Sequence, residues 1–472
     1  MVYDLVQLFI NGDSVDKGEK EVYTIGGYIF DPDRLILYKE DMSDKDIKII
    51  NNEIYSNEDS YEKVYSSLIQ INSDEMCMDK VDIDSCGIIP SYNCNLRCRY
   101  CAYSSKENSE FCLQFKQVQV FIKDIIRRKT INKLITKQNT PLHIDMTGGG
   151  EPTYDWSFLV KIVTYIHDEC NRVGIPFTLG MTTNGVLTDE QIDFIIKHFN
   201  KLMVSYDGLP EIQNQNRCSL TRKNVNSIVE HTIYRLSKSN IELTVRTTIW
   251  QEHFSLLQDM YNHVLSIVAP NGRVIWSVWP TQSEGRALLF SSERKVSLTK
   301  DFLKICMNLK KQNAIKSNSP IKNIEFPVFV NSSCEMFCGA PSIVCEWLLP
   351  DASIVTCVES PIGKVTIGKV LDDKVEYYNE YSDVLLKTTQ KKYTECRNCI
   401  AFYFCRGGCP VWHLREESSG NLPQECILQI EYLKYVIEAA LKGDYSLGWR
   451  LTPIDVPNVE GPVYKLVIDQ QN

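Results

Sequence analysis

The sequence has no apolar run long enough to span a membrane and no basic-then-apolar signal segment at Met1. It has no excess of positive charge either: 51 Lys and Arg are outnumbered by 60 Asp and Glu, for a formal net charge of −9. The first two absences lead us to expect a cytoplasmic protein with no membrane partner. The third removes the bulk electrostatic attraction that a nucleic-acid partner would need. There is no internal repeat beyond strand–helix alternation and no low-complexity tract. A chain of 472 residues exceeds one ordinary core and predicts roughly two to four domains. Its composition, 43% hydrophobic and 24% charged, is that of a globular protein.

Cysteine is what the chain has in excess. A secreted disulfide scaffold would be short and preceded by a signal peptide; eighteen cysteines in a long chain without one point to metal. They fall into two groups. The first is Cys94, Cys98 and Cys101, spaced C-x3-C-x2-C. The second runs from Cys334 to Cys426. Cys77, Cys86, Cys112, Cys170, Cys218 and Cys306 have no ligand-like spacing and read as small buried hydrophobes.

Residues 1–82 hold short strand-like runs (Leu5–Ile10, Val22–Phe30, Leu35–Tyr38) and helical stretches near Asp44–Asn51 and Tyr61–Ile69. They suit a small α+β module, either winged-helix-like and able to grip a partner peptide or a strand-rich cap on the next domain. From Cys86 to Pro280 apolar strands alternate with amphipathic helices. The strands are Gly87–Ser91, Leu142–Gly148, Phe177–Thr183, Leu202–Asp207, Ile241–Ile249 and Val274–Trp279, a pattern of parallel strands and crossover helices. Six such units fit an open, partial (β/α) barrel or a doubly wound sheet, with ligands beyond the C-terminal strand ends in either case. The domains expected are 1–82, the α/β unit at 83–290, a bridge at 291–333 with one helix (Leu298–Asn313), the cysteine-rich region at 334–442 with a closing helix (Ile427–Lys442), and a tail at 443–472.

Structural zinc takes four ligands, whereas three thiolates on a cubane cluster leave one iron open to a small molecule. The triplet, with Tyr100 just before its third cysteine, resembles the signature of radical S-adenosylmethionine (radical SAM) enzymes; a zinc knot is the alternative for the spacing alone. The resemblance implies a partial (β/α)6 barrel. It also implies that Cys94, Cys98 and Cys101 hold a [4Fe–4S] cluster whose fourth iron binds SAM, which is cleaved to methionine and a 5′-deoxyadenosyl radical. After the second strand, Gly149, Gly150, Glu151 and Pro152 match the family's GGEP motif residue by residue, implying a seat for the methionine amino group; glycines let backbone approach a ligand and a carboxylate can accept from an ammonium. Asn184 after the third strand, and Ser205 and Asp207 after the fourth, resemble family segments lining the SAM pocket, although Asn-Gly and Asp-Gly also make ordinary turns. Arg246, a charge inside an apolar strand that needs a partner, is similar to a family arginine that pairs with the SAM carboxylate. Arg217 also has a family counterpart, of unclear role here.

The second group resembles the SPASM extension of the family, which implies two auxiliary [4Fe–4S] clusters. Its seven cysteine positions are filled by Cys338, Cys357, Cys396, Cys399, Cys405, Cys409 and Cys426. Ala352 stands where the family usually has Gly. By the family's sharing rule, Cys334, Cys338, Cys357 and Cys409 would hold one cluster and Cys396, Cys399, Cys405 and Cys426 the other. Cys345 rivals Cys334, and with neither the first cluster keeps an open iron; a pair of zinc sites is the non-cluster alternative.

The resemblance implies an iron–sulfur oxidoreductase acting on a peptide or protein. The expected activity is maturation of a ribosomally made peptide by a thioether or carbon–carbon crosslink, with the N-terminal module binding a leader sequence and flavodoxin or ferredoxin as reductant. An anaerobic sulfatase-maturing enzyme making formylglycine is the first rival. Those relatives carry an acidic residue directly after the second upstream SPASM cysteine, where this chain has Val358, then Glu359. The second rival is a zinc-stabilised binding protein without catalysis.

Overall fold

The computed structural model describes residues 14–16, 21–32, 34–53, 83–103, 110–221, 224–281, 296–328, 337–338, 340–341, 345–359, 365–378, 384–396, 399–416 and 424–468. The expected elements Leu5–Ile10 and Tyr61–Ile69, and the residues Cys77 and Cys334, lie outside them.

The N-terminal strands β1 (Ser14–Asp16), β2 (Glu21–Ile25), β3 (Tyr28–Asp31) and β4 (Ile36–Lys39) form an antiparallel meander followed by helix α1 (Asp44–Glu53). The β3 residues Ile29 and Phe30 face opposite sides and are both fully buried, Ile29 against α1 and Phe30 against the main core. The meander is completed from the far end of the chain, as described below.

The central unit begins with β5 (Ser85–Ile88) and continues through a short ribbon strand β6 (Leu96–Cys98), α2 (Phe115–Thr136), β7 (Leu142–Met146), α3 (Trp156–Val173), β8 (Phe177–Thr183), α4 (Asp189–His198), β9 (Lys201–Ser205), α5 (Pro210–Asn216), β10 (Arg217–Ser219), α6 (Asn226–Ser237), β11 (Glu242–Ile249), α7 (Leu257–Ile267), β12 (Val274–Pro280), α8 (Val296–Ala314) and β13 (Ile321–Glu325). The turns are written locally. Asp155 caps α3 by accepting from Phe158 N at 3.0 Å, and Gly174 ends it at φ 67. Thr188 and Gln191 form a reciprocal capping box on α4. The strands are parallel in the order β13-β12-β11-β9-β8-β7-β5, so β13 adds a seventh strand beside the six expected. One face of this sheet packs on the helices through buried residues such as Ile144, Leu179, Leu202, Val204 and Val245.

The cysteine-rich region continues the same sheet. β14 (Cys345–Leu348) lies parallel to β5, and β15 (Ser353–Val355), β16 (Thr366–Val370) and β17 (Val375–Tyr377) follow antiparallel. A buried cluster ties the two parts: Arg128 of α2 donates to both Glu346 carboxylate oxygens, at 2.8 and 2.7 Å, and to the Tyr377 hydroxyl at 2.6 Å. Helices α9 (Val384–Glu395), α10 (Phe402–Cys405), α11 (Pro410–Glu416) and α12 (Gln424–Leu441) come next, then β18 (Trp449–Ile454) and β19 (Val463–Ile468). The last two strands are no loose tail: β19 pairs with β4, giving a six-stranded sheet β1-β2-β3-β4-β19-β18. Pro453 is tolerated because β18 is an edge strand. Of the cysteines read as small buried hydrophobes, Cys86, Cys170 and Cys306 are buried, but Cys112 and Cys218 are exposed, one in the loop before α2 and the other on the β10 ribbon. Among the described residues no helix is long and apolar enough to cross a membrane.

Candidate functional site

The loop between β5 and α2 carries the triplet. Its middle is pulled into the ribbon β6–β10, which places Arg217 opposite Cys98. Arg217 Nε donates to Asp207 Oδ1 at 3.1 Å, its Nη1 reaches Cys98 Sγ at 3.9 Å, and the guanidinium lies 5.2 Å from the centre of the Tyr100 ring. Burial works against the Arg217 charge, but Asp207, Tyr100 and Cys98 together outweigh it and hold the guanidinium above its ordinary range. Burial pushes the Cys98 thiol up to about 12, with Arg217 opposing. Cys94 is also raised by burial; Leu96 N donates to its sulfur at 3.4 Å and Asn184 Nδ2 approaches it at 3.8 Å. Cys101 N donates to Cys98 O at 3.2 Å, a tight turn that closes the triplet.

Asp207 is fully buried. Its Oδ2 accepts from the Tyr100 hydroxyl at 2.6 Å and Asn216 Nδ2 at 3.3 Å, and its Oδ1 from Arg217 Nε and, at 3.4 Å, Thr248 N. Both oxygens are therefore engaged in holding the loop. These contacts give Asp207 a bracing role beneath Tyr100 and Cys98. Arg217, whose role the sequence left unclear, and Asn216 are its partners; their spacing after the Asp-Gly turn was the only signal available.

The glycine turn after β7 is laid along the cysteine loop. Gly150 N donates to Ser91 O at 3.1 Å and Glu151 N to Asn93 O at 2.8 Å. A side chain at Gly150 would place its first carbon 2.1 Å from Asn93 O, and at Gly149, where φ is 76, 2.2 Å from Ile89. Only glycine permits this approach. Pro152 is buried at the turn. Glu151 is buried too, and its carboxylate accepts from Thr153 N (3.2 Å), Thr153 Oγ1 (2.7 Å), Thr183 Oγ1 (2.8 Å) and Asn184 N (2.7 Å). Burial raises its pKa and these donors oppose the rise. Oε1 takes three of these donors and Oε2 one, so Glu151 ties the turn to the end of β8. Asn184 binds Asn95 Oδ1 at 2.7 Å through its amide and receives Val186 N at 3.0 Å, so it joins the β8 turn to the triplet loop.

Ser205, Arg246, Ser277 and Glu325 are register partners across β9, β11, β12 and β13 and form one row of polar side chains. Among the described residues Arg246 is poorly satisfied: its guanidinium lies 4.1 Å from the centre of a Trp279 ring and makes one long contact, 3.5 Å, to Ser277 Oγ. Burial drives its pKa down to about 10, against the pull of Glu359. A guanidinium with five donors and this little to bind is a seat for an anion.

The donor chemistry fits the implied group. Three sulfurs share one loop, two of them face N–H donors, a fixed positive charge adjoins Cys98, and an under-satisfied Arg246 stands at the same end of the strands.

The C-terminal cysteines assemble into two electrostatically coupled sets. Cys409 feels Cys338 and Cys357, while Cys396, Cys399, Cys405 and Cys426 feel one another. Burial raises each of Cys338, Cys396, Cys405, Cys409 and Cys426. Cys345 lies within electrostatic reach of Cys338. Among the described residues no three of His, Cys, Asp and Glu converge closely enough to hold a single metal ion. Ala352 has the left-handed backbone, φ 66, that its usual glycine would supply.

Residues 88–255 match the radical SAM superfamily. The chain is 22% identical over 357 residues to a cysteine-type anaerobic sulfatase-maturating enzyme of Clostridium perfringens, covering 73% of this chain and 94% of that one. It is 22% identical over 340 residues to a serine-type anaerobic sulfatase-maturating enzyme of Klebsiella aerogenes, covering 70% and 80%. A solved structure described as native anSMEcpe with bound AdoMet and Kp18Cys peptide shares the fold with a TM-score of 0.57 at 19% identity, covering 76% of this chain and 97% of that one.

Proposed function

With residues 88–255 matching that superfamily, this chain belongs to the radical SAM enzymes, and from that premise we propose that it modifies a residue of a peptide or protein. A [4Fe–4S] cluster on Cys94, Cys98 and Cys101 with bound SAM supplies a 5′-deoxyadenosyl radical that takes a hydrogen atom from the substrate. The work of the chain itself is to place and screen. The Asp207–Arg217 brace fixes the loop and puts a positive charge beside Cys98. The glycine turn brings its backbone against that loop, and Glu151 holds the turn. In this reading Arg246 pairs with the SAM carboxylate, supported by its burial among few partners at the strand ends that also carry Ser205 and Asn184. Gathering these groups at one barrel mouth orients the reactants and excludes water. The observation that carries the reading is the three-thiol loop with its N–H donors, pinned against the glycine turn.

The product in this reading is a thioether or carbon–carbon crosslink in a ribosomally made peptide, with leader recognition by the N-terminal sheet and a flavodoxin or ferredoxin as electron donor. The two coupled cysteine sets hold auxiliary [4Fe–4S] clusters, Cys338, Cys357 and Cys409 with Cys334 or Cys345 for one, and Cys396, Cys399, Cys405 and Cys426 for the other. A second reading, formylglycine formation on a sulfatase, is favoured by the relatives that match over most of their length and by Glu359, which lies within electrostatic reach of Arg246.

Anaerobic reconstitution tests the proposal. Iron and sulfide at about twelve each per chain are expected from three cubanes. Replacing Cys94, Cys98 and Cys101 with Ala lowers both to about eight and ends deoxyadenosine production; continued production by the triple variant overturns the assignment. Mass spectrometry of a Cys-containing peptide after turnover separates the two products: loss of two hydrogens with a new internal link supports the crosslink, and an aldehyde that traps hydrazine supports formylglycine.

A further inference from the structure

The face of the central sheet turned away from the helices is open along its height. Thr182, Met203, Thr244 and Ile275, register partners in one row, are half-buried, as are His143 and Asp145 beneath them. Asp145 sits four residues along the strand from the level of Arg246, about 13 Å deeper in the barrel at the usual rise. Its environment is unusual for a carboxylate. Among the described residues Oδ1 is buried without a hydrogen-bond partner, Oδ2 has His143 Nε2 at 3.5 Å, the other nitrogen of that ring engages Thr178 Oγ1 at 2.8 Å, and Cys345 lies within electrostatic reach. Both flanking strands carry glycine at the paired position, Gly87 on β5 and Gly180 on β8. A methyl at Gly180 would stand 2.4 Å from Asp145 Oδ2, and the space over Gly87 is taken by the Trp347 indole, within 2.0 Å of where a side chain would begin. The next cation in the row, Lys201, is turned to Glu242 at 3.6 Å.

We propose that Asp145, with His143 beside it and the Trp347 indole across Gly87, is a substrate subsite that binds the ammonium or guanidinium of a Lys or Arg flanking the residue attacked. The inference rests on the peptide-modifying reading and names the class of peptide. A carboxylate oxygen buried without a donor is costly. A charged donor satisfies it best, and an aromatic face beside it favours a cation further. An extended Lys or Arg side chain reaches about 6–7 Å, so the flanking residue must itself enter the barrel below the mouth, where Arg246 and the glycine turn lie.

Fluorescence anisotropy tests this with reconstituted holoenzyme, SAM and labelled octapeptides containing one Cys. Lys is placed in turn at each position flanking the Cys and compared with norleucine and Glu at the same position. At one position the Lys peptide is expected to bind about tenfold tighter than the norleucine peptide, the gain of one charge-assisted bond, with the Glu peptide weaker still. Asp145→Asn removes the Lys preference, Gly180→Ala reduces it by displacing the carboxyl, and Asp145→Lys shifts it to Glu. Equal affinities at every position for the wild type, or an undiminished Lys preference in Asp145→Asn, overturn the proposal. Because binding is read apart from turnover, a Lys preference without peptide modification would sink the proposed reaction and leave the subsite standing.

Discussion

Arg217 and Asp207 form a buried ion pair, Nε to Oδ1 at 3.1 Å, directly beneath the sulfur of Cys98. Removing one partner of a buried pair leaves the other uncompensated, at a cost of about 3–5 kcal/mol. Arg217→Met is therefore expected to lower the unfolding temperature and also to shift the reduction potential of the triplet's cluster downward, because a fixed positive charge leaves its side. Arg217→Lys restores the charge without the fork and should recover part of the potential. Potentiometric titration followed by electron paramagnetic resonance reads both.

Arg246→Gln keeps a donor but loses the charge. Its partners in the structure are one 3.5 Å contact and the Trp279 ring, so little stability should be lost. SAM affinity should fall at least tenfold, as for loss of a charge-assisted bond. Equilibrium dialysis with labelled SAM checks this; unchanged affinity would show that the anion sits elsewhere.

Ala352 holds φ 66 while nearly fully buried, with its amide donating to Leu349 O at 2.9 Å and its carbonyl accepting from Val370 N at 2.8 Å. A left-handed conformation costs a residue with a Cβ about 1–2 kcal/mol, partly offset by the greater unfolded-state freedom of glycine. Ala352→Gly should thus stabilise the protein by about 0.5–1 kcal/mol, seen as a higher midpoint in urea. A lower midpoint would refute the strain.

The Arg128–Glu346 pair joins α2 to β14, with side chains only 1% and 0% exposed. Arg128→Met alone should destabilise by about 3–5 kcal/mol, whereas Arg128→Met with Glu346→Leu should recover much of the loss, since the buried Glu346 charge is gone and Asp124, the other carboxylate on Arg128, keeps Arg127 at 2.8 Å. A double-mutant cycle on unfolding midpoints measures the coupling.

How much of this was legible depended on periodicity. Phe177–Thr183 was readable to the residue because it is long and strongly patterned. Ile321–Glu325 was not, since five residues with only two isoleucines do not announce a strand. Trp449–Ile454 was hidden by Pro453, which discounts a strand unless it is known to be at an edge. In the site, Cys94, Cys98, Cys101 and the glycine turn could be found because their spacing is local. The bracing contacts of Asp207 and Glu151 could not, because they depend on Tyr100, Arg217, Thr183 and Asn184 arriving from distant parts of the chain. Asp145 read only as part of an apolar strand; its exposure to the barrel interior follows from register.

The pairing of β4 with β19 sets an order of events during synthesis. Strand 36–39 leaves the ribosome long before its neighbour 463–468, so its outer edge must wait unpaired through translation of the entire cysteine-rich region. A message cut short, or a ribosome stalled within that region, leaves the early meander with a bare flank that chaperones and proteases can recognise. The sheet at the front of the enzyme is thereby finished only on chains that already carry every cysteine.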